Sequence, residues 1–124
     1  FSRKSIYGDT DDFERFAFYC RAAIALLQRI GDKPDIVHLN DWPCGFASVE
    51  LRARRRHEPF FEDTRVLFSI HNLAYQGAFD PENLWWMDFA AYRDAFMLDG
   101  AAAGRGRGMV LLGADARAPA SSST

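Results

Sequence analysis

Between positions 13 and 30 apolar residues recur at three- and four-residue steps. Phe13, Phe16, Cys20, Ile24, Leu27 and Ile30 fall on one helix face. Phe18, Ala22 and Leu26 fall toward another side, so the pattern predicts a helix that is covered broadly. Asp9, Thr10, Asp11 and Asp12 offer caps and negative charge at its start, and Gly31 followed by Pro34 stops it. The period then changes. Asp35-Ile36-Val37-His38-Leu39 is a short β-branched run that reads as a buried parallel strand. Asn40-Asp41-Trp42-Pro43 breaks it, and a helix over about residues 44–55 follows, with Phe46, Val49, Leu51 and Ala53 among its apolar positions. A polar and aromatic loop leads to Arg65-Val66-Leu67-Phe68-Ser69-Ile70, a second buried strand, with His71 and Asn72 directly after it.

Strand, helix, strand makes a βαβ unit with parallel strands and a right-handed crossover. Both strands then point the same way, so both post-strand loops open on one edge of the sheet. Ligands of open α/β sheets bind at that carboxyl edge. Spacing alone thus gathers a carboxylate (Asp41), an indole (Trp42), an imidazole (His71) and an amide (Asn72) in one place.

Composition narrows what such a site serves. Fifteen basic and seventeen acidic side chains in 124 residues leave a charge of −2, which gives no electrostatic reason to expect nucleic acid or an anionic membrane. No apolar run approaches the roughly 20 residues that span a bilayer, and no secretory signal is visible, so a cytoplasmic location is the default. Cys20 and Cys44 read as a buried small hydrophobe and a helix-start thiol rather than a disulfide. Arg52, Arg54, Arg55 and Arg56 suit a helix C-terminus and read as a solvated end. All eighteen aromatic residues lie at or before Phe96, and the sequence from Gly100 onward is dominated by alanine, glycine, arginine and serine. That stretch has little apolar surface to offset the entropy of ordering it. A flexible tail is one reading; a segment outside the protein's reading frame is the other.

Each candidate has a plainer explanation beside the functional one. Asp41 suits a helix cap equally well, and Trp42 suits packing equally well. His38 alternates within a strand and reads as a core histidine held by hydrogen bonds. A metal site of His38, Asp41 and His71 has no supporting ligand spacing. No G-x-S-x-G elbow supports a serine hydrolase, and no G-x-G-x-x-G after a strand supports a nicotinamide site.

Four segments carry a resemblance. Pro34-Asp35-Ile36-Val37-His38-Leu39-Asn40-Asp41-Trp42 resembles the PD-V-H-HDW segment of bacterial glycogen synthases and plant starch synthases, and Ile70-His71-Asn72-Leu73-Ala74-Tyr75-Gln76-Gly77 matches that family's HNLAYQG segment without a break. Glu14-Arg15-Phe16-Ala17 with Phe18 resembles the preceding helix, and Ile6-Tyr7-Gly8 the turn before it. The resemblance runs from Ser5 to Phe79, and more loosely from Asp80 to Met97.

The resemblance implies an α/β fold, a partial Rossmann-like parallel sheet domain forming half of a two-domain GT-B glycosyltransferase. Such enzymes transfer glucose from ADP-glucose to the non-reducing end of an α-1,4-glucan with retention, and need no metal or other cofactor. By the same resemblance His71 is a principal active-site residue at the transferred sugar and Asp41 a carboxylate near donor and acceptor. Trp42 offers an apolar face to a sugar, Asn72 orients hydroxyls and Tyr7 lines the cleft. Gln76 and Tyr75 support the loop, Gln76 being counted with the substrate-binding residues. Hydrogen bonds from such groups favour the positive charge that develops on the sugar ring.

The departures set expectations too. The family's K-T-G-G-L loop is not in this sequence, nor is the second domain, with its basic pair for the leaving diphosphate, so these 124 residues alone are expected to be inactive. Residues 1–99 read as a piece of the N-terminal catalytic domain. Residues 100–124 read as a divergent tail, standing where an L-K-A-G-L segment is expected, and a slip of reading frame near Gly100 accounts for it. A non-catalytic glucan- or nucleotide-binding module is the alternative function, and another sugar-nucleotide transferase of the same architecture is a third.

Overall fold

A computed structural model describes residues 2–54, 57–85 and 109–110. Helix α1 spans Asp12–Ile30 and ends at Gly31, whose left-handed φ of 73° lets its N–H reach the Gln28 carbonyl at 3.2 Å. Its start differs from expectation. Asp11 occupies the cap position without a side-chain cap bond, because its carboxylate accepts both ends of the Arg3 guanidinium at 2.6 and 2.5 Å. Arg3 holds the Asp11 carboxyl below the usual carboxylate range. Asp12, buried, accepts the Gly8 N–H and the Arg15 guanidinium, each at 2.6 Å.

Strand β1 (Ile36–Asn40) and strand β2 (Arg65–Ser69) are parallel, with Ile36 opposite Arg65 and Asn40 opposite Ser69. Helix α2 (Gly45–Arg54) lies between them in sequence, preceded by a 3-10 turn over Trp42–Cys44. The expected βαβ unit is therefore present. Phe13, Phe16, Cys20 and Ile24 of α1 form one core with Phe46, Val49 and Leu51 of α2, and with Leu39, Phe61 and Leu84. Val37, Val66 and Phe68 pack against this core from the sheet.

Three expectations about burial give way. The strands are covered on one face only: among the described residues nothing covers the face that carries Ile36 and Leu67, 61% and 52% exposed. His38 shares that exposure; its Nε2 lies 2.7 Å from Ser69 Oγ, so it is hydrogen-bonded but not a core residue. Helix α1 is one-sided rather than broadly covered, with Phe18, Leu26 and Ile30 exposed. Conversely, α2 is more deeply placed than its mixed composition suggests, and every residue from 45 to 51 is buried. Its C-terminal end is not simply solvated. Arg54 donates to Glu50 and to Gln28, each at 2.8 Å, and Gln28 donates to Glu58 at 2.5 Å, strapping α2 to α1 and to the chain beyond. Arg55 and Arg56 lie outside the described residues, as do residues 100–124 apart from Met109 and Val110. The backbone of those two, β4 (Met109–Val110), pairs antiparallel with β3 (Ala78–Phe79).

Both cysteines are free thiols. Cys20 is buried against the Pro43 carbonyl (3.3 Å), and burial pushes its pKa up to about 12.

Candidate functional site at the carboxyl edge of the sheet

The parallel ladder runs past the end of β1 into the loops: the Asp41 N–H donates to the Ser69 carbonyl at 2.9 Å. That bond fixes Asp41 opposite the start of the post-β2 loop. Its carboxylate Oδ1 then accepts the backbone N–H of His71 at 2.6 Å and that of Asn72 at 3.4 Å. Asp41 has φ 57° and ψ 179°, the one positive φ outside glycine among the described residues. Such a conformation is costly for a residue with a Cβ, of order 1–3 kcal/mol, and persists where surrounding bonds over-determine it. It makes no side-chain cap bond to the following turn, so the carboxylate serves the neighbouring loop and not a helix end.

The imidazole of His71 is placed by a residue that the sequence puts at this edge but to which it assigns no role. Asn40, the last residue of β1, holds its Oδ1 3.0 Å from His71 Nε2. A proton on Nε2 satisfies that oxygen and leaves Nδ1 of a neutral ring as an acceptor; a protonated ring donates from both nitrogens. His71, Asn72, Tyr75 and Gln76 are all exposed, so the loop offers polar groups to a ligand. Within it Asn72 Oδ1 accepts the Ala74 N–H at 3.0 Å, and Gln76 Nε2 donates to the Leu73 carbonyl at 3.1 Å. The Gln76 side chain is thus bonded within its own loop.

Trp42 takes the packing alternative. Only 6% of it is exposed, and Tyr7, Phe16 and Phe79 surround it with ring centroids 5.9, 5.1 and 5.7 Å away. Its indole supports the edge from beneath and presents no open face. Tyr7 is half-exposed and lies 6.0 Å from the ring of Tyr75, so it borders the loop. Gly77, at φ 65°, approaches the indole so closely that an added Cβ would sit 2.6 Å from Trp42 Cε3. A separate hollow of about 170 Å³ is lined by Arg3, Lys4, Ser5, Ile6, Arg15 and Phe16, and by none of the edge residues. Arg3 and Arg15 there are already paired with Asp11 and Asp12.

The family model described as the starch synthase catalytic domain matches residues 1–106. This chain belongs to the starch synthase catalytic domain family. It is 43% identical over 100 residues to a glycogen synthase of Desulforamulus reducens, a match covering 81% of this chain and 21% of that protein. It is 47% identical over 79 residues to a glycogen synthase of Geobacillus thermodenitrificans, covering 64% and 16%. The chain therefore spans about a fifth of the length of the curated relatives it matches. In structure it resembles the catalytic domain of starch synthase IV from Arabidopsis thaliana bound to ADP and acarbose. That comparison has a TM-score of 0.71 and 30% identity, and covers 94% of this chain and 24% of the other. The fold is accordingly a partial α/β domain of the GT-B type. The stretch matched by the family model includes residues 70–77, the loop that Asp41 holds.

No helix among the described residues is long and apolar enough to cross a membrane. Nor do the described residues contain a group of three His, Cys, Asp or Glu that could hold a metal.

Proposed function

We propose that this chain is part of a glucosyltransferase that moves glucose from ADP-glucose to the non-reducing end of an α-1,4-glucan, retaining the anomeric configuration. The observation that carries this reading is the coupling of Asp41 to the backbone of His71 and Asn72 in a chain of this family. The relative that binds ADP and acarbose, a nucleotide and a glucan-like oligosaccharide, supports the same two substrate classes. In this reading His71 and Asp41 are the catalytic residues, and Tyr7, Asn72 and Gln76 contribute to binding sugar. Trp42, assigned to the same surface by resemblance, acts by holding that surface in shape. An exposed imidazole on a fixed loop can hydrogen-bond sugar hydroxyls and favour the charge that develops in transfer.

The 124 residues alone span too little of a family enzyme to stabilise a leaving diphosphate, so they are expected to transfer no glucose. A cytoplasmic location completes the proposal, as does a frame slip near Gly100. The latter is tested by translating the coding DNA in the other two frames: an L-K-A-G-L-like continuation supports it, and its absence from both removes it. The enzymatic reading is tested by incorporation of labelled glucose into glycogen by the full-length protein. Incorporation that depends on ADP-glucose supports it. Binding of glycogen without incorporation would instead indicate a glucan-binding module.

A further inference from the structure

Residues 71–77 are held at both ends by two adjacent residues, Asp41 and Trp42. At the start, Asp41 Oδ1 accepts the amides of His71 and Asn72. At the end, Gly77 is pressed onto the indole, where an added Cβ would meet Trp42 Cε3 at 2.6 Å, Cδ2 at 3.0 Å and Cβ at 3.1 Å. Trp42 cannot retreat easily, since Phe16, Phe79 and Tyr7 enclose it. Nor can Gly77 be replaced without backbone strain, because its φ of 65° is one that side chains resist. Between these two attachments the loop carries its own bonds, from Asn72 to Ala74 and from Gln76 to Leu73. These bonds tie residues 72 to 76 to one another, giving a displacement at one end a path to the other.

We infer that Gly77 is a positioning residue for His71: the missing Cβ sets the height of the loop over Trp42, and with it the distance from the His71 and Asn72 amides to Asp41. The inference rests on the proposed function only for its catalytic consequence; its structural part does not. Any side chain at position 77 must lift the loop from the indole or push the indole into the core. Either movement stretches the Asp41 bonds and shifts the His71 imidazole away from Asn40.

Hydrogen exchange at the His71 and Asn72 amides of the full-length protein tests this. Gly77→Ala and Gly77→Asn are compared with the parent, because asparagine tolerates a left-handed backbone but still brings a Cβ. Both are expected to speed exchange at those amides about tenfold or more. Gly77→Ala with Trp42→Phe, which trims the ring at the point of contact, should recover most of that protection. Exchange in Gly77→Ala within about twofold of the parent, or full protection in Gly77→Asn, overturns the inference. If Gly77→Ala yields no folded protein, the double variant decides: recovery of folding supports the contact, and failure overturns it. Where turnover is measurable, Gly77→Ala should lower kcat about tenfold or more with little change in KM for the glucan. Loss of turnover in His71→Ala beside parental kcat in Gly77→Ala would sink this inference alone. Parental turnover in His71→Ala would sink the proposed function and leave the exchange result standing.

Discussion

The interior between α1 and α2 and the carboxyl edge of the sheet solve opposite problems. The interior is apolar and closed: Phe46, Val49, Leu51 and Phe61 are fully buried. Its polar members, Ser48, Glu50 and Thr64, have partners in the Gly45 carbonyl, Arg21 and Arg54, and the Pro34 carbonyl. The edge is polar and open, with His71, Asn72 and Gln76 exposed and Asp41 in a backbone conformation that only its surroundings sustain. The first region holds the fold together, and the second carries the proposed chemistry. Trp42 joins them, since its ring belongs to the core while its neighbour Asp41 belongs to the edge.

Substitutions should divide along that line. Phe46→Ala removes a ring that packs 4.9 Å from Phe13 at the centre of the core, and should cost about 3–5 kcal/mol by denaturant unfolding. A cost below about 1 kcal/mol would show that the interior is not close-packed there. Asp41→Ala leaves two loop amides without their acceptor and should lower turnover of the full-length protein about tenfold or more, while costing only about 1–3 kcal/mol of stability. Equal, large losses in both would blur the division. Cys20 should react with an alkylating reagent far more slowly than the partly exposed Cys44, because its thiol is buried and its pKa is pushed up to about 12. Linkage gives this a pH signature: the protonated thiol favours the folded state, so the contribution is full below about 9 and is lost as pH rises toward 12. The smallest effect belongs to the Arg3–Asp11 pair on the surface. Asp11 has its pKa lowered in the folded state, so what the pair contributes is present above the ordinary value of 3.8 and is lost as pH falls through the folded value. Asp11→Asn should therefore shift the thermal midpoint slightly at pH 7 and less in acid.

Much of this was legible in the sequence. The β-branched runs around Val37 and Val66, with ten helical residues between them, specify a parallel pair, and that alone brings Asp41 to His71. Burial was less legible, because Ile36 and Leu67 look the same in sequence whether their face of the sheet is covered or open. Trp42 was ambiguous for a related reason. A tryptophan after a strand serves packing or ligand, and only the positions of Phe16, Phe79 and Gly77 decide between them. Asn40 had one signal, its place as the last strand residue beside Asp41, but its contact with His71 needs the register of Asn40 against Ser69. The strap from Arg54 to Gln28 and Glu58 spans 26 residues of sequence in its longest step from Arg54, beyond any local pattern.

The most direct measurement is the rate of glucose transfer from ADP-glucose to glycogen by the full-length protein carrying His71→Ala. A loss of about a hundredfold or more, with unchanged unfolding midpoint, is what an exposed imidazole at the transferred sugar predicts. Turnover close to that of the parent would contradict the assignment of His71, and with it the placement of chemistry at this edge of the sheet.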